Sequence, residues 1–166
     1  MKRILSLAIA VLCLMLCACG SKVNYVSDVT SDKVANAMAS AIGKSEDYMG
    51  GDTDLYEFYF GGQETYAKVK DCKILFSRLE TDVNEMGVFR AASEQDVAAV
   101  RAMVQGYLDE QTATLRSFAA NYSPEDMAKI DNAGIDVYGV YVVYYILDAE
   151  HEAEALDAVK VLLSQK

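Results

Sequence analysis

The chain has 166 residues, 15 basic against 25 acidic, a net charge of −10 at pH 7, and 52% hydrophobic residues. That length and apolar content suit one domain with a real core. The negative charge argues against a nucleic-acid partner and against direct adhesion to anionic headgroups, both of which repel such a surface.

The first predicted element is a leader. Lys2-Arg3 precede an apolar run from Ile4 to Leu16, which has the charge and length of a secretory signal. At roughly 13 residues it is too short to cross a hydrocarbon core of about 30 Å. It closes in Leu16-Cys17-Ala18-Cys19, the pattern of a bacterial lipoprotein cleavage box. Small residues are needed beside the cut bond, and only a thiol accepts a diacylglyceryl group as a thioether. The expected organisation is a signal peptide over 1–18, a lipidated tether over 19–29 and a single domain over 30–166. Two acyl chains hold a protein stably where one does not, so Cys19 is expected to anchor the chain on the extracytoplasmic face of the cell membrane. Residues 1–18 carry two bases and no acid, which leaves 13 basic residues facing 25 acidic ones, a net charge of −12. Lipid would hold the chain while its body stays off the bilayer. Cys19 and Cys72 are the cysteines that remain, and with Cys19 acylated no intramolecular disulfide forms. Stability then rests on packing.

Thr30 or Ser31 caps a first helix, with Val34, Met38 and Ile42 on one face and Gly43 at its end. Leu55-Tyr56-Glu57-Phe58-Tyr59-Phe60, between glycine pairs, reads as a short helical turn or a short strand. Alternation predicts strands over Lys70–Leu79 and Glu85–Ala91, and the polar link between them makes a hairpin. Ser93 to Asp96 is similar to a capping box. A long amphipathic helix follows, with Val97, Val100, Val104, Tyr107, Gln111, Leu115 and Phe118 along one face. Ser123-Pro124-Glu125-Asp126 opens a short helix that ends near Asn132. Gly134–Leu147 is predicted as one strand, apolar or aromatic on both faces and therefore covered twice. Asp148 caps a last helix with Ala155, Leu156, Val159, Leu162 and Leu163 as its buried stripe. This order gives an α+β fold: a small, mainly antiparallel sheet of three to four strands with helices packed on it.

Chemically reactive sets are sparse. His151 is the single histidine and lies in an acidic helix start, a poor place for a Ser-His-Asp site. One histidine and one thiol cannot build a usual zinc site. Asp52, Asp54 and Glu57 offer oxygen ligands but lack the spacing of a calcium loop. Cys72, flanked by lysines, reads as a small buried hydrophobe rather than a reactive thiol. Glu85 is the acid of most interest. It either pairs with Arg78 or Arg90 across the hairpin, or offers a carboxylate to a partner amide or cation. The eleven tyrosines, against five phenylalanines, are the last feature. Tyr138, Tyr141 and Tyr144, with Tyr145, either pack in the core with their hydroxyls reaching its rim, or floor an aromatic groove for a peptide or glycan.

Taken in order, these segments resemble one family. They are the cleavage box, Val29-Thr30-Ser31-Asp32, Asn84-Glu85-Met86-Gly87-Val88-Phe89, the long helix, Tyr122-Ser123-Pro124-Glu125 and Val137-Tyr138-Gly139-Val140-Tyr141-Val142. The chain is identified as a member of the domain of unknown function 4358 family, small lipoproteins of clostridial-type bacteria. The resemblance spans essentially the whole chain after the leader. It implies an exported, anchored domain and brings no activity, cofactor or catalytic residue.

The expectation is therefore a non-enzymatic binding or accessory module at the cell envelope, with no cofactor and no metal. It would be held by acyl chains on Cys19 and would act through an envelope protein partner. The alternative is a small-ligand or peptide-binding lipoprotein that uses a tyrosine-rich sheet surface. An enzyme built on carboxylates alone stands third, and needs two acids a few ångströms apart in a cleft.

Overall fold

A computed structural model of the chain describes residues 24–43, 45–51, 53–79 and 82–164. The predicted signal peptide, Cys19 and Asp52 lie outside the described residues. The elements in chain order are α1 (Ser31–Ala41), β1 (Tyr48–Gly50), α2 (Thr53–Phe60), β2 (Val69–Ser77), β3 (Glu85–Ala91), α3 (Val97–Tyr122), α4 (Met127–Asp131), β4 (Gly134–Tyr138), β5 (Tyr141–Ile146) and α5 (Ala149–Leu163). The fold is α+β, as the segment order predicts. Its sheet has five strands in the order β1-β2-β3-β5-β4, one or two more than the sequence suggests. Every neighbouring pair is antiparallel.

Two cores sandwich the sheet. On one face α1 and α5 bury Val34, Met38, Val159 and Leu163 against Met86, Val88, Tyr141 and Val143. On the other, α2, α3 and α4 bury Phe60, Val104, Tyr107 and Ile130 against Ile74, Phe89, Val142 and Tyr144. Residues of β3 and β5 alternate between these cores, and both strands are buried throughout. A strand covered twice must be apolar at consecutive positions, which is how Gly134–Leu147 reads.

That stretch is nevertheless a hairpin and not one strand. Tyr138 pairs with Tyr141 across a two-residue turn, and Gly139 takes φ +60°. Glycine at the first turn position, with a positive φ there, is the pattern of a type II′ hairpin. Folding back shifts the alternation. Tyr138 now shares a core with Tyr141 and Tyr145, while Tyr144 faces the other one.

Capping follows the sequence at two helices. Thr30 Oγ1 accepts from the Lys33 amide at 3.3 Å, and Asp148 Oδ1 accepts from that of His151 at 3.0 Å. At α3 the expected capping box does not form. Ser93 Oγ donates instead to Asp96 Oδ2 at 2.6 Å, and a 3-10 turn over Glu94–Asp96 leads into the helix. The predicted stripe also fails at its far end. Burial on α3 falls on Val100, Met103, Val104, Tyr107 and Leu108, then on Ala119, while Phe118 is exposed. The first half of α3 lies on the sheet, and its second half runs on past Glu85 towards α4. Gly106 sits on this helix with open space where a Cβ would lie. Gly106→Ala is therefore expected to stabilise the protein by about 0.5–1 kcal/mol, read as a rise in Tm.

The N-terminal segment is part of the fold. Tyr25 bridges to Ser164, the Val26 amide donates to Leu163 O at 2.8 Å, and the Tyr25 ring meets Tyr138 edge-on at 5.4 Å. Farther along, Tyr141 Oη donates to Val29 O at 2.7 Å. Residues from Tyr25 onward, within the span expected as a tether, are docked on the domain.

Candidate functional site

Glu85 opens β3 and belongs to the α3 face of the sheet, yet it is only 5% exposed. Two positions along, Gly87 pairs with Tyr144 of β5. A Cβ at Gly87 would sit 2.1 Å from Tyr144 Cε1. The bare glycine lets the tyrosine ring lie across β3, and its hydroxyl donates to Glu85 Oε1 at 2.5 Å. Tyr107 of α3 donates to the same oxygen at 2.7 Å, and Gln111 Nε2, one turn on, donates to the Tyr107 hydroxyl at 3.0 Å. The rings of Tyr107 and Tyr144 meet edge to face at 5.6 Å. Phe60 packs on Tyr107 at 5.2 Å and on Phe89 at 5.1 Å.

Burial raises the Glu85 carboxyl above its ordinary value, and the two hydroxyl donors oppose that rise without cancelling it. Burial first, and the adjoining Glu85 second, hold Tyr107 and Tyr144 above the usual phenol range. Glu85 is therefore the acceptor of an internal hydrogen-bond knot. Neither predicted arginine pairing occurs, because Arg78 Nε donates to Tyr48 O at 3.2 Å and Arg90 turns to Asp71. A shallow hollow of about 220 Å³ lies between α2 and α3, lined by Tyr59, Gln63, Met103, Gly106, Tyr107 and Glu110. Tyr107 stands between that hollow and the acid.

A second polar cluster forms on the opposite face. Asp71 and Arg90 are cross-strand partners in the β2–β3 register and form an ion pair. The Ser31 amide donates to Asp71 Oδ1 at 2.9 Å, and Arg90 Nη1 donates to Ser27 O at 3.4 Å. Burial pushes the Asp71 carboxyl up, but hydrogen bonds from Ser31 and Arg90 outweigh it and hold the group below its ordinary value. The cluster fastens the N-terminal segment and the start of α1 to the sheet.

Of the two readings of the tyrosines, the structure shows core packing and not an aromatic groove. Tyr138, Tyr141 and Tyr144 are all buried, they divide between the two cores, and helices cover both sheet faces. Cys72 is half-buried, with the Tyr66 hydroxyl 3.9 Å from its sulfur. Burial pushes its thiol up to about 11, so it is not activated at neutral pH. His151 Nδ1 lies 2.7 Å from Asp148 Oδ2 at the start of α5. Glu57 is exposed on α2, and among the described residues no group of three His, Cys, Asp or Glu side chains could hold a metal ion.

Sequence reasoning missed the part of Tyr107. It lies on the predicted apolar stripe, and a hydroxyl-bearing ring there asks for a buried acceptor. It also missed an exposed aromatic pair. Phe118 and Tyr122, 46% and 76% exposed, stack on each other at 5.1 Å on the last turns of α3.

Among known families, residues 65–147 match a family model described as a domain of unknown function, DUF4358. That span runs from the turn before β2 through β5 and holds both the Glu85 knot and the Phe118–Tyr122 pair. No curated protein and no solved structure matches the chain.

Proposed function

This chain belongs to the DUF4358 family, and on that premise we propose that it is a lipid-anchored extracytoplasmic protein serving as a non-enzymatic binding or accessory module at the cell envelope. The cleavage box ending in Cys19 supports the anchor. The observation that carries the binding role is the Phe118–Tyr122 stack. Large rings left in water beside one another mark contact surfaces, and aromatic residues anchor protein interfaces. The stack favours a protein partner that offers an apolar cleft, and the exposed Glu125 beside it favours a basic group on that cleft's rim. The Glu85 knot is its scaffold: it locks α3 to the sheet and so fixes where the pair is presented.

Two outcomes are expected. Cys19→Ala should lose all incorporation of an acyl label and leave the membrane fraction, since a signal-bearing chain without the thiol has no acceptor for the two chains that give stable anchoring. In-cell crosslinking of the native lipidated chain should capture one dominant envelope protein. That capture should fall at least about tenfold in a Phe118→Ala, Tyr122→Ala double variant, the loss of a hot-spot aromatic contact. Unchanged capture by the double variant would remove this surface from the interface.

A further inference from the structure

The docked N-terminal segment says where an anchored domain points. Tyr25 lies beside Ser164 after α5 and beside the Tyr138–Tyr141 turn, where its Cβ is 3.2 Å from the place of a Gly139 Cβ. Ala91 at the end of β3 bonds to Val140 O in the same turn, and Ala92 bonds to Lys68 O before β2. These residues make up one end of the molecule. From Cys19 to Tyr25 there are six peptide steps, which reach at most about 20 Å when fully extended. Three pins prevent further pay-out: the Val26–Leu163 bond at 2.8 Å, the Arg90–Ser27 bond at 3.4 Å and the Tyr141–Val29 bond at 2.7 Å.

The opposite end is built by the 26-residue α3, which starts after β3 and runs about 39 Å at 1.5 Å per residue. It ends at Phe118 and Tyr122, close to α4.

We infer that the domain stands on the membrane with its strap end facing an anionic headgroup surface, and that this turns the Phe118–Tyr122 pair away from the bilayer. The inference rests on the lipid-anchor reading above. The reach of at most about 20 Å from Cys19 to Tyr25 keeps the strap end near the headgroups. The net charge of −12 after residue 18 keeps the body off anionic headgroups, so the end nearest the anchor is the one that faces them.

The test uses the full lipidated chain with Cys72→Ala, in phosphatidylcholine–phosphatidylglycerol vesicles that carry a headgroup-attached quencher. A fluorophore is placed at Ala92→Cys or at Ala120→Cys, both exposed positions. Quenching should be several-fold stronger at position 92 than at 120. Equal quenching, or stronger quenching at 120, in protein that floats with the vesicles would overturn the orientation while leaving the anchor intact. Protein that carries no acyl mass on its N-terminal peptide and does not float would overturn the anchor, and the orientation with it.

Discussion

Glu85→Ala is expected to cost about 3 kcal/mol of unfolding free energy. The carboxylate oxygen accepts from two buried tyrosines, Tyr107 and Tyr144. Removing it strands one buried hydroxyl, since Tyr144 can still donate to Tyr107, at about 1–3 kcal/mol for a group so stranded, and opens a cavity in a close-packed core. Relief of a buried carboxyl offsets part of this, because carrying an acid out of water is itself unfavourable. Glu85→Gln keeps an acceptor oxygen of nearly the same shape and should stay within about 1 kcal/mol of the parent. The pair also separates by pH. Burial raises the Glu85 carboxyl in the folded state, so the folded chain holds this proton more tightly than the unfolded one. Its stabilising contribution is fully present below the unfolded value of about 4.3 and is lost as pH rises through the raised folded value. Asp71 and Asp148 act in the opposite sense and in a lower window, since both are held below their ordinary values. Urea unfolding at about pH 5 and about pH 8 should show the parent losing stability on going up, with that slope flattened in Glu85→Gln. An alanine variant as stable as the parent would mean that the knot contributes nothing.

Gly87→Ala should be at least as damaging, by about 3 kcal/mol, through overpacking. The new methyl would lie 2.1 Å from Cε1, 2.7 Å from Cζ and 2.9 Å from Cδ1 of Tyr144. The ring has nowhere to go. It is fully buried, flanked by Tyr107 at 5.6 Å and Phe89 at 6.3 Å, and held at its tip by Glu85. The control is Tyr144→Leu, which removes the obstructing ring. In that background Gly87→Ala should cost at least about 1 kcal/mol less, and the difference is the coupling energy of a double-mutant cycle. Equal costs in both backgrounds would show that the strain lies in the β3 backbone and not in this contact.

Much of the fold is legible in the sequence where one local rule dominates. Thr30 and Asp148 mark helix starts because capping acts within a single turn. Glu85–Ala91 reads as a strand to the residue because its side chains alternate between two apolar layers. The hairpin at Gly139 escapes because Tyr138 and Tyr141 are both β-formers, so composition is continuous through the turn and only the glycine's backbone signals it. Glu85 is recognisable as unusual, an acid at the head of an apolar strand, but its partners are not. Tyr107 arrives from α3 and Tyr144 from β5, and only the register that sets Gly87 against Tyr144 brings the three together. The tyrosines form no surface because helices cover both faces of the sheet, and the turn at Gly139 decides only which core each ring joins. Phe118 lies in phase with the buried stripe of α3, yet periodicity does not say where the sheet beneath a helix ends.

The bridge between Tyr25 and Ser164 joins residues 139 positions apart, 164 − 25, and this sets an order of assembly. Contacts that close the longest loops form after the local ones have offset part of the entropy. The residues that receive the strap belong to β3, β5 and the end of α5, and α5 is made after both strands. The β2–β3 hairpin and the α3 core can assemble while α5 is still emerging, but the strap has no groove until α5 is in place. Its docking is thus the closing step of folding, and its release is the first opening expected as the protein begins to unfold.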